Sequence, residues 1–353
     1  MNITVLIGVW VAYIKGKFNL NIFSSQLFLN KTSYGIWEKV TTFSNPRYYF
    51  KNLQYNSNYN GYFLYSVDCK LAYSADLINW SIDTGTFIYD ETNETYYKIT
   101  TTSDNNVKYV YVSKMLSFGT FDESILIDSL SYTTFSSTGF QPSSKLGNYT
   151  LFPYYIYAQS GSGTSATYNC YQKICYTQDF ENWNIKTYLS ESGVSTAHSQ
   201  QTSLGSSGEK FILFSETGNG YCPMIFTSPT SYTTKSALWT AGNMTAACGF
   251  YLNGIWYYCS SYTKATYKTE DGTNYTTLSN SYINPFMLYY NQKYIASAVN
   301  TASLCIYDSD FSSETYVSAP TEVKNILGIL NNKIYIMDTD GLIFRTDLEN
   351  IIN

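Results

Sequence analysis

Ser74-Ala-Asp76-Leu-Ile-Asn79-Trp80 decides how this chain is read, because the pattern returns twice. It recurs as Thr177-Gln-Asp179-Phe-Glu-Asn182-Trp183 and as Thr269-Glu-Asp271-Gly-Thr-Asn274-Tyr275. The shared elements are a hydroxyl residue, an Asp two places on, an Asn three further, and then an aromatic. Each copy follows an apolar, aromatic-rich run and precedes another short β-prone run. Weaker copies occur at Thr120-Phe-Asp122, Asp308-Ser-Asp310 and Thr346-Asp347-Leu-Glu-Asn350-Ile351, with degraded ones at 31–37 and 228–232.

A second element is a turn followed by an apolar strand. It reads Lys15-Gly16-Lys-Phe18, Asn60-Gly61-Tyr-Phe63 and Asn106-Val-Lys-Tyr109, with a poor copy at Phe152-Pro-Tyr154. Later copies are Gly208-Glu-Lys-Phe211, Asn253-Gly254-Ile-Trp256, Asn291-Gln-Lys-Tyr294 and Asn331-Asn332-Lys-Ile334. Asn-Gly between apolar runs signals a tight hairpin, because both residues accept positive φ. The markers Phe18, Phe63, Tyr109, Tyr154, Phe211, Trp256, Tyr294 and Ile334 are separated by 45, 46, 45, 57, 45, 38 and 40 residues. A step near 45 matches one four-stranded propeller blade. The long step contains the flexible stretch Gln159-Ser-Gly-Ser-Gly-Thr-Ser.

The expectation is an all-β, single-domain β-propeller over residues 1–353, with about eight four-stranded blades, or seven if one weak unit is not a full blade. The Asn-Gly turn joins strands a and b of each unit, and the Asp box joins c and d. The last unit lacks its own strand d. The apolar segment 3–8 is expected to supply it and close the ring, protecting the strand edges.

The boxes resemble the Asp-box, or BNR, repeat of sialidase-type propellers, which uses Ser-x-Asp followed by Gly-x-Thr-Trp on the c–d turn. This chain keeps the hydroxyl, the Asp and the aromatic, but places Asn before the aromatic and mostly lacks the Gly. The Ser-x-Asp-Leu-x-Asn-Trp form is also similar to a segment of five-bladed glycoside hydrolases that cleave arabinans and xylans. The resemblance implies structural roles for Asp76, Trp80, Asp179, Trp183, Asp271 and Tyr275. Physical chemistry agrees: the carboxylates accept turn amides, and the aromatics bury between blades.

Sialidase chemistry would need an arginine cluster around the sugar carboxylate. Only Arg47 and Arg345 exist, so an active sialidase is excluded. The single histidine, His198, has no second His beside it for a metal site and no nucleophile elbow. No cofactor or metal is expected. Two carboxylates across a sugar would suffice for glycoside hydrolysis, and 26 acidic residues are available. If a–b and c–d turns share one face, the opposite face carries Asp68, Glu216, Tyr221, Tyr262, Asp338 and Asp340 on b–c loops, and Arg47 and His198 on d–a loops. These are the ligand-binding candidates. Asp338-Thr-Asp340-Gly341 lacks the remaining ligands of a calcium loop and reads as a plain turn.

Composition narrows the partners. Tyr (38) and Phe (20) dominate, charged residues are 13%, and the net charge is −5. No cationic cluster is present to displace counterions from nucleic acid. The apolar run 3–14 is too short to span a bilayer and has no signal-peptide flanks. The seven cysteines are odd in number, lack zinc spacing and read as small apolar core residues. The seven Asn-x-Ser/Thr sequons follow from composition and from the boxes. Most tyrosines serve strands, while loop tyrosines suit adaptable recognition.

The expected function is a non-enzymatic recognition or structural propeller of a virus. Low charge, richness in Tyr, Asn and Ser, and boxes without sialidase arginines point to a bacteriophage tail or surface protein. It would be made in the cytoplasm, carried on the virion, and bound to a host glycan, a receptor or other virion proteins. A two-carboxylate glycoside hydrolase and an intracellular interaction scaffold are the alternatives.

Overall fold

The computed structural model describes residues 35–44, 48–194, 201–217, 220–235, 248–260, 265–279, 287–298, 301–309, 311 and 313–352. They form seven antiparallel sheets, each a blade of four main strands. Blade 1 comprises Phe50–Asn56, Gly61–Ser66, Leu71–Ser74 and Ser81–Asp83. Blade 2 comprises Thr86–Asp90, Thr95–Asp104, Val107–Ser117 and Ile125–Ser131. In blade 3 the innermost strand is split into Phe135–Phe140 and Ser144–Leu146. Tyr149–Ser160, Thr167–Thr177 and Asn184–Val194 follow it. Blade 4 comprises Gln201–Ser206, Phe211–Thr217, Gly220–Ser228 and Ser231–Thr234. Blade 5 comprises Cys248–Leu252, Ile255–Ser260, Ala265–Thr269 and Thr276–Ser279, and blade 6 Leu288–Tyr290, Lys293–Ser297, Ser303–Asp308 and Glu314–Ser318.

Blade 7 is built from both ends of the described chain. Val323–Leu330, Lys333–Asp338 and Leu342–Asp347 are completed by Glu38–Thr42, which pairs antiparallel with Leu342–Asp347. The latch is reinforced by side chains. Trp37 Nε1 donates to the Ser318 carbonyl at 2.8 Å, Thr346 Oγ1 donates to the Ile36 carbonyl at 2.7 Å, and Arg345 pairs with Glu38 at 3.0 Å.

The ring is held by seven apolar seams, one between each pair of consecutive blades. Phe63 and Leu71 meet Phe87 and Tyr96 between blades 1 and 2. Ile88 and Val112 meet Phe152 and Ile156 between blades 2 and 3. Ile174 meets Phe211 and Met224, and Phe214 meets Trp256 and Tyr258. Tyr257 meets Tyr294, and Ile306 meets Ile326 and Ile336. Tyr335 and Met337 of blade 7 meet Phe50 and Leu64 of blade 1, which closes the circle. Blade faces are buried on both sides, so alternate residues along a strand feed two different seams.

Local sequence explains the hairpins. Asn253 and Gly254 take φ of 50° and 83°, Asn291 and Gln292 48° and 61°, and Asn331 and Asn332 50° and 58°. Both central residues are left-handed, as a two-residue hairpin on twisted strands requires.

The architecture agrees with the sequence reading at the lower of its two blade counts, and two details are corrected. The eighth unit, marked at Phe18, lies outside the described residues. The strand that completes blade 7 is Glu38–Thr42, not the segment 3–8, which also lies outside them. Hydrophobicity misleads at this point because outer strands face solvent, and Glu38–Thr42 is mostly exposed like Glu314–Ser318. Asn105–Asn106 joins the second and third strands of blade 2, not the first and second. A left-handed pair reports a hairpin without saying which hairpin, and the first turn of that blade is 91–94. Cys69, Cys170, Cys175, Cys222 and Cys305 are buried, as the composition implied.

Candidate functional site

The innermost strands of blades 1 to 5 enclose a central cavity of about 530 Å³. Its wall carries Lys51, Thr86, Thr138, Gly139, Gln201, Ser203 and Tyr251 from those strands. Val67, Asp68 and Lys70 line it from the b–c turn of blade 1, and Gln141, Pro142 and Ser143 from the break in the first strand of blade 3. A second cavity of about 390 Å³ shares Ser143, Ser144, Ser206 and Tyr251 with the first and is lined by Glu91, Gly147 and Gly208. In an antiparallel four-strand meander a–b turns lie at one end and b–c turns at the other, so together the two cavities run along the ring axis.

The break in blade 3 is a local sequence effect. Pro142 has no N–H for a ladder, so the strand stops pairing there. Gln141 and Ser143 instead bond neighbouring blades: Gln141 Oε1 accepts from the Ser203 N–H at 3.3 Å, and Ser143 Oγ accepts from the Tyr89 N–H at 3.3 Å.

A buried polar relay leads outward from the cavity wall between blades 3 and 4. Gln201 Nε2 donates to Tyr188 Oη at 2.5 Å and to the Tyr154 carbonyl at 3.3 Å. Tyr188 Oη and Ser215 Oγ both donate to Gln172 Oε1, and Gln172 Nε2 donates to the Glu216 carbonyl at 2.7 Å. Burial raises the Tyr188 phenol well above its ordinary value, so it stays protonated and can donate.

Of the residues singled out in the sequence, Asp68 stands in the cavity wall. Glu216 is the penultimate residue of the second strand of blade 4, and Tyr221 is its register partner, so both sit at the b–c end of that blade. Asp338 and Asp340 sit at the b–c turn of blade 7 and are not among the residues that line the cavity. Asp338 is buried and clamps its own turn, accepting the N–H groups of Asp340 at 2.9 Å and Leu342 at 2.7 Å and the Thr321 hydroxyl at 2.9 Å. Arg47, His198 and Tyr262 lie outside the described residues. No cluster of three or more metal-ligating side chains exists among the described residues, and no helix there is long and apolar enough to cross a membrane.

The box residues form one repeated clasp. Asp76 Oδ1 accepts the N–H groups of Ile78 and Asn79 at 2.8 Å, while Oδ2 accepts Asn79 Nδ2 at 2.8 Å. Asp179 and Asp271 repeat these bonds with Glu181, Asn182, Thr273 and Asn274. The donors hold all three carboxyls below the usual range, led by the Asn79 amide, the Asn182 side chain and the Asn274 amide respectively. Trp80, Trp183 and Tyr275 pack into three seams, with ring centroids 5.9 Å from Phe43, 6.0 Å from Phe152 and 5.7 Å from Phe214.

Sequence reasoning placed ligand candidates on loops and missed the inner strands, which supply most of the wall. The available signal was the polar run Gln201-Thr-Ser, placed ahead of the Gly208 turn where an innermost strand belongs. A fourth clasp was also missed: Asp90 holds Thr92 and Asn93 in the same way, at 2.9 Å and 3.3 Å. It lacks the flanking hydroxyl and aromatic.

Chemically, the wall offers amides, hydroxyls, aromatic edges and two lysines against one carboxylate, Asp68. Cys69 beside it is no nucleophile, since burial pushes its thiol up to about 12.

No protein-family model and no curated protein sequence matches this chain. Solved structures that resemble it include YCF48 from Cyanidioschyzon merolae, with a TM-score of 0.46 at 11% identity, covering 89% of this chain and 100% of that one. The α-L-arabinanase of Penicillium chrysogenum, solved with arabinobiose, has a TM-score of 0.42 at 10% identity, covering 89% and 99%. The computationally designed Ika8 protein has a TM-score of 0.43 at 8% identity, covering 88% and 99%. At such identities the likeness is one of fold alone.

Proposed function

We propose that this chain is a non-enzymatic recognition propeller that takes its ligand in the central cavity, and that it serves as a virion tail or surface protein binding a host glycan or receptor. The observation that carries the binding reading is the wall itself. Five inner strands surround about 530 Å³, within the range of small-molecule sites, and line it with amides and hydroxyls. Glycoside hydrolysis by two carboxylates needs a second acid facing the first. Among the described residues that line this cavity, Asp68 is the one carboxylate. The viral assignment rests on composition: low charge, many Tyr, Asn and Ser, and a box repeat without the arginines of a sialidase.

Purified protein on a glycan array, run beside a screen of chromogenic glycosides, tests the reading. Binding without turnover is expected. Turnover that survives purification and disappears in Asp68→Asn or Glu216→Gln would overturn it in favour of the hydrolase. Mass spectrometry of purified virions tests the location, and absence from particles would remove the viral part.

A further inference from the structure

Beside the Asp box of blade 3 lies a hollow of about 260 Å³, lined by Tyr149, Tyr176, Gln178, Asp179, Asn182 and Asn184. The two sister boxes do not reproduce this lining. Thr150 pairs with Thr177, Tyr62 with Ser74 and Trp256 with Thr269, which fixes the equivalent positions. Tyr149 stands where blade 1 has Gly61 and blade 5 has Ile255. Tyr176, Gln178 and Asn184 stand where blade 1 has Tyr73, Ala75 and Ser81, and where blade 5 has Lys268, Glu270 and Thr276. In blade 1 the Tyr73 ring lies on Gly61, since a Cβ added there would collide with it, and it stacks on Phe118 at 5.2 Å. Tyr176 cannot copy that pose, because the Tyr149 side chain fills the same space. The two rings meet edge to face instead, with centroids 5.6 Å apart at 79°, and the hollow opens beside them.

The lining has a definite chemistry. Both tyrosines are half-buried, and Gln178, Asn182 and Asn184 are exposed. Asn182 gives its Nδ2 to Asp179, which leaves its Oδ1 as an acceptor. The Gln178 and Asn184 carboxamides and both tyrosine hydroxyls make no hydrogen bond among the described residues. Asp179 has both oxygens committed to Glu181 and Asn182, so it is no proton acceptor, yet it keeps its charge. No lysine or arginine lines the hollow.

We propose that this hollow is a second binding site, separate from the central cavity, for one uncharged pyranose unit of a glycan. A pyranose offers an apolar C–H face, which packs on a tyrosine ring, and hydroxyls, which bond to amides and phenols. The volume falls short of drug-sized sites and suits about one sugar ring. A uronic acid would bring its carboxylate toward Asp179 with no cation in the lining to offset the repulsion. The box turn joins strands c and d, so the site lies at the a–b end of the ring, opposite the b–c turn that carries Asp68. It therefore goes beyond the cavity reading and does not depend on it.

The test titrates the full chain by NMR with methyl glucoside, galactoside, mannoside and N-acetylglucosaminide, and with methyl glucuronide and galacturonide as charged counterparts. At least one neutral probe should bind, and its uronide should bind about threefold more weakly, a gap that narrows as salt is raised. Tyr149→Gly with Gln178→Ala rebuilds the blade 1 arrangement and should weaken binding by about tenfold. Asn184→Ser, again the blade 1 residue and at an exposed position, should weaken it by about threefold and keeps the idea testable if Tyr149→Gly fails to fold. Thr86→Trp, which fills the central cavity, should leave this binding unchanged. If the cavity also takes these probes, the wild type shows two sites, one removed by each set of variants. A chain that binds no pyranoside would overturn the inference, as would tighter binding of the uronides. Binding that Thr86→Trp abolishes and the box variants leave intact would overturn it too, while the cavity reading would stand.

Discussion

Lys173 and Asp128 pair at 2.5 Å across the seam between blades 3 and 2, with the Tyr154 hydroxyl donating to the same carboxylate at 2.7 Å. Both charges are largely buried, so each depends on the other to offset its desolvation. Lys173→Met leaves Asp128 uncompensated and should cost about 3–5 kcal/mol in urea unfolding. Replacing both, as Lys173→Met with Asp128→Leu, should restore most of that loss. If the double variant is as unstable as the single one, the pair is not what holds this seam.

The box carboxyls make stability depend on acid in a defined direction. Asp271 sits at about 2 in the folded chain against an ordinary 3.8, and Asp76 and Asp179 are lowered as well. A depressed folded value means that the stabilisation is fully present above the unfolded value and is lost as pH falls through the folded one. The stability difference between wild type and Asp271→Asn should therefore be constant from pH 7 to about 5 and shrink between about pH 4 and pH 2. Denaturant curves at a series of pH values check this. A difference that stays constant down to pH 2 would mean that these donors do not favour the charged carboxylate.

Gln292 occupies φ 61° in an exposed hairpin beside Asn291 at 48°. A side chain there is strained where glycine is not. Gln292→Gly creates the Asn-Gly pair already used at Asn253-Gly254 and should raise stability by about 0.5–1 kcal/mol. Thermal melting reads it directly, and a lower melting temperature would contradict the turn assignment.

Gly249 lies on an inner strand where an added Cβ would approach the Leu204 side chain to 2.6 Å. Leu204 is fully buried in the seam between blades 4 and 5 and cannot swing away. Gly249→Ala should cost about 1–3 kcal/mol through overpacking. A neutral result in chemical denaturation would show that this seam has room to spare.

Much of the wheel was legible because turns speak locally. The left-handed pairs at 253–254, 291–292 and 331–332, and the clasps at Asp76, Asp179 and Asp271, are written in a few adjacent residues. Their spacing carries the blade repeat. The closing strand was misassigned because it is polar and finds its partner some 300 residues away, a pairing no short window reveals. Most of the site was missed for a related reason. Inner strands line an open cavity, so Gln201-Thr-Ser looks like loop until its blade position is known. Asp68 alone could be guessed, since b–c turns reach the same axis.

The latch at blade 7 has a consequence for synthesis. During translation Glu38–Thr42 leaves the ribosome early, whereas Leu342–Asp347 leaves among the last described residues. Until then the nascent chain carries an unmated strand, and the apolar surfaces around Trp37 and Phe50 await their far neighbours. Blades 1 to 6 can stack as they emerge, but the circle can close only once Leu342–Asp347 has emerged as well. Chaperone demand should therefore be greatest in ribosome-stalled chains that end before Leu342.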